Sequence, residues 1–264
     1  MRIALGLEYD GSSFYGWQSQ PGGNTIQDVL ESALARIADG PVRVHCAGRT
    51  DAGVHALAQI VHFDTRADRP LTAWVRGVNA HLPETVVVRW ARVMPDFFHA
   101  RYSARARSYC YILYNSMVRP ALHAKQVGWF HLPLELEAMQ RAASALLGEH
   151  DFSAFRAAEC QARSPVKTLQ RSEVTRHGEC FVFTFSANAF LHHMVRNVVG
   201  ALVHVGKGSR PAGWISELLQ SRDRARAAPT FAASGLYLAG VDYDDDWRLP
   251  ERGRTIWPLE ISLP

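Results

Sequence analysis

The feature that most constrains the fold is a change of hydrophobic period near the start of the chain. Over residues 2–9, Ile3, Leu5, Leu7 and Tyr9 alternate with their neighbours and share one face, the pattern of a half-buried strand. From Thr25 onward the repeat lengthens. Ile26, Val29, Leu30, Ala33, Leu34 and Ile37 fall on one face of a helix, with Thr25 as N-cap and Asp28 completing a near capping box. Between them, Asp10-Gly11-Ser12-Ser13 supplies turn chemistry, followed by a loop of Gly, Gln and aromatic residues running to Gly23. Strands and helices interspersed in this way define an α+β arrangement.

The alternation continues. A short strand is expected over 42–46, a polar loop over 47–55, a strand over 57–63, a helix over 71–80 and a strand over 84–92. An aromatic-rich strand at 107–114 opens a second part. It continues with a helix near 135–147, strands 168–176 and 180–186 joined at His177-Gly178, helices 190–206 and 212–220, and a closing strand 235–243. The expected organisation is two α+β halves, 1–104 and 105–246, with 247–264 as a peripheral tail.

Composition narrows the function classes. The chain has 264 residues, 47% of them hydrophobic and 20% charged, an ordinary globular balance. No apolar run approaches the roughly 20 residues that span a bilayer. The opening Met1-Arg2-Ile3-Ala4-Leu5-Gly6-Leu7-Glu8 meets an acid too soon for a secretory signal, so a cytoplasmic location is expected. Cys46, Cys110, Cys160 and Cys180 form no Cys-x-x-Cys pair, and no His-Glu-x-x-His, phosphate-binding P-loop or dinucleotide fingerprint occurs. Metal, ATP and dinucleotide chemistry therefore lack sequence footing. The net charge is +4, and only Lys125, Lys167 and Lys207 among 29 basic residues are lysines. Arginine suits bidentate phosphate contacts, although an Arg-rich codon bias explains the preference equally well.

The stretch Gly48-Arg49-Thr50-Asp51-Ala52-Gly53-Val54-His55-Ala56 has no apolar periodicity yet sits between two strands. Polar loops on a rigid sheet are where catalytic groups concentrate. Arg49 and Asp51 are two residues apart, so an extended loop turns both toward one side, and an adjacent Arg keeps an Asp ionised for nucleophilic or base chemistry. The same stretch also reads as a surface turn with a local Arg–Asp pair.

This stretch resembles the catalytic signature of the TruA family of tRNA pseudouridine synthases. The resemblance extends over nearly the whole chain. It takes in Leu7-Glu8-Tyr9-Asp10-Gly11, Phe14-Tyr15-Gly16-Trp17-Gln18, Phe98-His99-Ala100-Arg101, Tyr109-Cys110-Tyr111-Ile112, Asp151-Phe152-Ser153-Ala154-Phe155, Phe190-Leu191-His192-His193-Met194-Val195-Arg196-Asn197 and Gly235-Leu236-Tyr237-Leu238.

The resemblance implies two similar ferredoxin-like halves. Their strands would form a continuous, mostly antiparallel sheet with a central RNA-binding cleft, the pseudouridine synthase fold. It implies isomerisation of uridine at positions 38, 39 and 40 of the tRNA anticodon stem-loop, by a homodimer, with no metal or other cofactor.

It also implies a role for each matching residue. Asp51 is the catalytic aspartate, acting on ribose C1′ or uracil C6 or by promoting a glycal route. Tyr109 stacks on the target base and assists removal of the C5 proton. Arg196 pairs with Asp51, Arg49 fills the space vacated by the flipped base, and Leu236 lines the base pocket. From the residues alone, Tyr109 and Leu236 also read as core packing, and Arg196 as an exposed or tRNA-contacting cation.

Two acid-poor stretches fit an RNA partner. None occurs between Asp96 and Glu135, and only Glu179 between Glu173 and Glu217, whereas arginines recur in both. A non-catalytic RNA-binding module, and a hydrolase using Asp51 with His55 and His99, are the rival readings.

Overall fold

The computed structural model describes residues 1–250, 254–256 and 261–263. Its elements are β1 (Arg2–Tyr9), α1 (Ile26–Ala38), β2 (His45–Cys46), β3 (His55–Asp64), β4 (Val86–Met94), β5 (Ala104–Asn115), β6 (Gly128–Phe130), α2 (Leu136–Ser144), β7 (Gly148–Asp151), β8 (Val166–His177), β9 (Cys180–Ala187), α3 (Met194–Gly206), α4 (Trp214–Ser221), β10 (Leu236–Tyr243), β11 (Arg254–Ile256) and β12 (Ile261–Leu263). They fall into two units, one made of Met1–Arg105 with Tyr237–Pro264, the other of Ala106–Leu236. Both are α+β with mostly antiparallel strands, the class expected from the sequence. Most of the 247–264 tail lies outside the described residues.

In the first unit the strand order is β4-β1-β3-β10, with β2 also on β3. β1 pairs antiparallel with both neighbours, while Tyr237 and Leu238 run parallel to His55 and Ala56. That parallel pairing is what attaches the closing strand to the N-terminal unit. Ile3, Leu5 and Leu7 are buried, and so is the apolar stripe of α1 at Ile26, Leu30, Ala33 and Leu34. Thr25 caps α1 by accepting from Asp28 N at 3.2 Å and donating to its carboxylate at 2.6 Å.

In this unit the 42–46 strand and the 71–80 helix differ from expectation. Only His45–Cys46 of the 42–46 strand pairs, because Val44 N donates to Glu31 Oε1 of α1 at 2.9 Å and not to a neighbouring strand. The helix expected over 71–80 contains a π-helical turn, Ala73–Gly77. Trp74 within it is fully buried and meets Phe63 edge-on at 5.2 Å.

Three histidine rings cluster beside β2 and β3. His62 lies 5.0 Å from His45 and 4.5 Å from His99, and its Nδ1 accepts from Ala100 N at 3.1 Å. Burial, reinforced by His99, Arg2 and His45, pushes the His62 pKa down from 6.5 to about 4. Between those values the unfolded chain binds the proton and the folded chain does not, so stability falls as the pH is lowered from 6.5 to about 4. His62→Asn keeps an acceptor for Ala100 and removes the titration. The variant's melting temperature is expected to depend less steeply on pH across that window. An unchanged slope would assign the acid lability to other groups.

In the second unit the order is β5-β9-β8-β7, all antiparallel, with β6 parallel to β5. The β8–β9 hairpin turns at Gly178, at a φ of 59°. The helix expected from residue 190 begins only at Met194, because His193 is left-handed at a φ of 60°. The side of α3 bearing Asn197 and Gly200 is buried and faces the chain around 228–231. Asn197 donates to Phe155 O at 2.8 Å and accepts from Thr230 Oγ1 at 2.7 Å and Arg224 Nη2 at 3.1 Å. A Cβ on Gly200 would lie 2.6 Å from Pro229 O. Such a fully bonded asparagine is compatible with a dry interior, so its polarity alone does not mark a solvent face.

Candidate active site

The loop between β2 and β3 is held by its own unit from several directions. Trp17 N donates to Thr50 O at 2.9 Å, Val54 N to Asp51 O at 3.1 Å and Gly53 N to Phe14 O at 3.3 Å. Tyr9 Oη lies 2.8 Å from Thr50 Oγ1. Gln59, fully buried on β3, brackets Gly48: its Nε2 donates to Gly48 O at 2.6 Å, and its Oε1 accepts from Gly48 N at 3.3 Å. Gly11 and Gly16 let the preceding chain press against this loop. A Cβ on Gly11 would come within 1.9 Å of Val54 O, and one on Gly16 within 2.6 Å of Thr50 O.

This grip sorts the loop side chains. Thr50 and Val54 are buried, Asp51 is half-buried, and Arg49 and Ala52 are exposed. The loop thus presents a carboxylate at its surface on a backbone with little freedom to move, as a catalytic group requires. Asp51 and Arg49 both lie in the first unit; Tyr109, Arg196 and Leu236 belong to the second.

His55, at the base of the loop, is 2% exposed and stacks on Tyr237 at 4.7 Å. Its Nδ1 lies 3.1 Å from both Gly11 N and Asp10 Oδ1. One nitrogen serves one of them at a time, as an acceptor for the Gly11 N–H or as a donor to the Asp10 carboxylate. The hydrogen bond to His55 holds the Asp10 carboxyl well below the usual carboxylate range against the opposing effect of burial, with Ser12 contributing. His55 is thus enclosed, and His99 Nδ1 accepts from Arg101 N at 3.1 Å within the histidine cluster.

In the second unit, Tyr109 on β5 pairs with Phe185 and meets Phe190 edge-on at 4.9 Å, leaving the residue 8% exposed. Arg196, half-buried on the first turns of α3, donates through Nε to Phe231 O at 2.8 Å, and Phe231 N returns a bond to Arg196 O at 3.3 Å. Fixing Nε sets the plane of the guanidinium. Leu236 is 5% exposed at the start of β10, its N bonded to Ala233 O at 2.9 Å.

Sequence reasoning did not single out Gln59 or the hydroxyl of Tyr9. The available signals were a glutamine within the mostly apolar 57–63 strand and a tyrosine closing the inward-facing stripe of β1.

The chain belongs to the tRNA pseudouridine synthase family: the family model of that description matches residues 7–103 and 142–244. Enzymes of this family are isomerases that act on tRNA. The chain is 62% identical over 251 residues to tRNA pseudouridine synthase A of Dechloromonas aromatica, covering 95% of this chain and 96% of that one. It is 62% identical over 256 residues to the protein of the same name from Aromatoleum aromaticum, covering 97% of each. For the Bordetella petrii protein of that name, the identity is 57% over 266 residues, covering 99% of each. Among the described residues, no helix is long and apolar enough to cross a membrane.

Proposed function

We propose that the enzyme isomerises uridine to pseudouridine at positions 38, 39 and 40 of the tRNA anticodon stem-loop, with Asp51 as the catalytic carboxylate. The observation that carries this reading is the immobilised 48–54 backbone, which holds a half-buried Asp51 between an anchored Thr50 and an anchored Val54. In the reaction the N1–C1′ bond breaks, the uracil turns, and a C5–C1′ bond forms. N1 gains a proton and C5 loses one, so no electrons are exchanged with a second reactant and no metal or organic cofactor is invoked.

A target uridine in or beside a stem has to be flipped out at a cost of a few kcal/mol, roughly. The resemblance assigns Arg49 to the vacated space, Tyr109 to stacking on the base and assisting loss of the C5 proton, Leu236 to the base pocket and Arg196 to Asp51. The exposure of Arg49 and the fixed plane of the Arg196 guanidinium support these assignments. The active form in this reading is a cytoplasmic homodimer in which one subunit holds the tRNA body while the other does the chemistry.

Unmodified tRNA incubated with the enzyme, treated with carbodiimide and then mild alkali, and read by primer extension is expected to stop the polymerase one nucleotide 3′ of positions 38–40 in tRNAs that carry uridine there. Stops confined to another region would overturn the site assignment, and no stops would overturn the activity. In the same preparation, tRNA affinity is expected to fall by about tenfold or more between roughly 50 and 200 mM salt, through release of phosphate counterions. A flat response would remove the basic stretches from tRNA binding.

A further inference from the structure

The roles above leave the tyrosine of the Leu7-Glu8-Tyr9-Asp10-Gly11 motif without a task. Tyr9 ends β1 and is 3% exposed, while Gln59 on the adjacent strand β3 is 0% exposed and Thr50 is 7% exposed. Buried polar groups are costly unless hydrogen-bonded. Here the bonds of all three converge on one segment. Gln59 Nε2 reaches Tyr9 Oη at 3.4 Å as well as Gly48 O at 2.6 Å. An amide nitrogen only donates, so Tyr9 Oη accepts there, and either hydroxyl can donate in the bond between Tyr9 Oη and Thr50 Oγ1, 2.8 Å long. The relay therefore runs from the sheet into the loop and ends on the residue before Asp51. Trp17 N holds the carbonyl of that same residue.

We propose that Tyr9 and Gln59 are positioning residues for Asp51, which they fix through Thr50 and Gly48 without touching substrate. The inference rests on the reading of Asp51 as the catalytic carboxylate. Gln59 replaces the strand partner that Gly48 lacks, and Tyr9 stops Thr50 from rotating. With both in place, the Asp51 loop is tied to the sheet as well as to the segment that carries Trp17. A displacement of about 1 Å at a reacting group costs on the order of 100-fold in rate, so a modest slackening of this anchor is expected in turnover before it is felt in tRNA binding.

The test uses the full-length enzyme with Tyr9→Phe, Thr50→Val and Thr50→Ser. Tyr9→Phe and Thr50→Val are each expected to lower kcat by roughly tenfold or more while KM for tRNA stays within about twofold, the separation expected when geometry and not binding is lost. Thr50→Ser keeps the hydroxyl and is expected to retain kcat within about threefold of wild type. The double variant Tyr9→Phe/Thr50→Val is expected to be no slower than the worse single, because both changes remove the same bond. Rates are taken per folded enzyme, with melting temperature recorded alongside. If Tyr9→Phe does not fold, the contrast between Thr50→Val and Thr50→Ser decides.

Unchanged kcat in Tyr9→Phe and Thr50→Val, or a Thr50→Ser enzyme as slow as Thr50→Val, overturns the proposal. Asp51→Asn is measured in parallel. If that variant stays active, the catalytic reading fails and this inference with it. If it is inactive while Tyr9→Phe turns over at the wild-type rate, the positioning inference alone fails.

Discussion

Asp51→Asn is expected to lower the rate of tritium release from [5-³H]uridine-labelled tRNA by about 10³-fold or more, while tRNA affinity stays within about twofold. The two expectations come from different parts of the residue. An amide is nearly isosteric with a carboxylate but is neutral, so it neither attacks carbon nor accepts a proton at neutral pH. Every route open to Asp51, whether through C1′, C6 or a glycal, requires the ionised oxygen. The backbone bonds from Trp17 to Thr50, from Val54 to Asp51 and from Gly53 to Phe14 do not depend on that oxygen, so they survive the change. Arg49 keeps its exposed place, and phosphate contacts elsewhere are untouched. Release at the wild-type rate would take Asp51 out of the chemistry. Parallel loss of binding and turnover would make it a structural residue.

What was legible in the sequence was what is encoded locally. The cap at Thr25, the stripe of α1 and the β8–β9 hairpin each depend on residues a few positions apart, and each appears where periodicity and turn chemistry put it. Where a distant side chain captures a backbone group, local reasoning fails. Val44 leaves the sheet because Glu31 takes its N–H, and no pattern within 42–46 contains that information. The start of α3 departs from the apolar pattern for a related reason. The apolar repeat extends through Leu191, but a left-handed His193 precedes the first helical turn. No local pattern announces the burial of Asn197 either, because its partners Phe155, Arg224 and Thr230 lie 27 to 42 positions away.

The candidate site divides in the same way. Its loop stands out as a polar interruption between strands, with Asp51 at its centre. Part of what holds it comes from Tyr9, 41 positions before Thr50, and from Gln59, 11 positions after Gly48. Tyr9 is an ordinary occupant of a strand and Gln59 a single polar residue within one, so the sequence marks the group that acts more clearly than the groups that hold it.

Gly16→Ala is the substitution in this region expected to damage stability and activity together. Gly16 sits at a φ of 88°, and an added Cβ would lie 2.6 Å from Thr50 O and 3.0 Å from both Ala52 N and Asp51 C. Those neighbours are backbone atoms, so no side chain can swing away to make room. The left-handed conformation costs a non-glycine residue about 1–2 kcal/mol. Forcing a carbon into a packed contact adds about 1–3 kcal/mol. At roughly 2–4 °C per kcal/mol for a chain of this size, the melting temperature is expected to fall by about 5–15 °C.

The second consequence is catalytic. The chain can relieve the contact by moving the Thr50–Asp51 peptide, which displaces the carboxylate, or by moving residue 16. Moving residue 16 disturbs Trp17 N, which holds Thr50 O, and Gly16 O, which accepts from Ile26 N at 3.1 Å at the start of α1. Either way Asp51 shifts, and turnover per folded molecule is expected to drop by about tenfold or more. Gly23 separates the two effects, because it shares a positive φ of 64° but has nothing within 4 Å of its Cβ position. Gly23→Ala is therefore expected to show the backbone penalty alone, with a smaller fall in melting temperature and unchanged turnover. If Gly16→Ala matches Gly23→Ala in both readouts, the close approach of Gly16 to the Asp51 loop has no part in holding it.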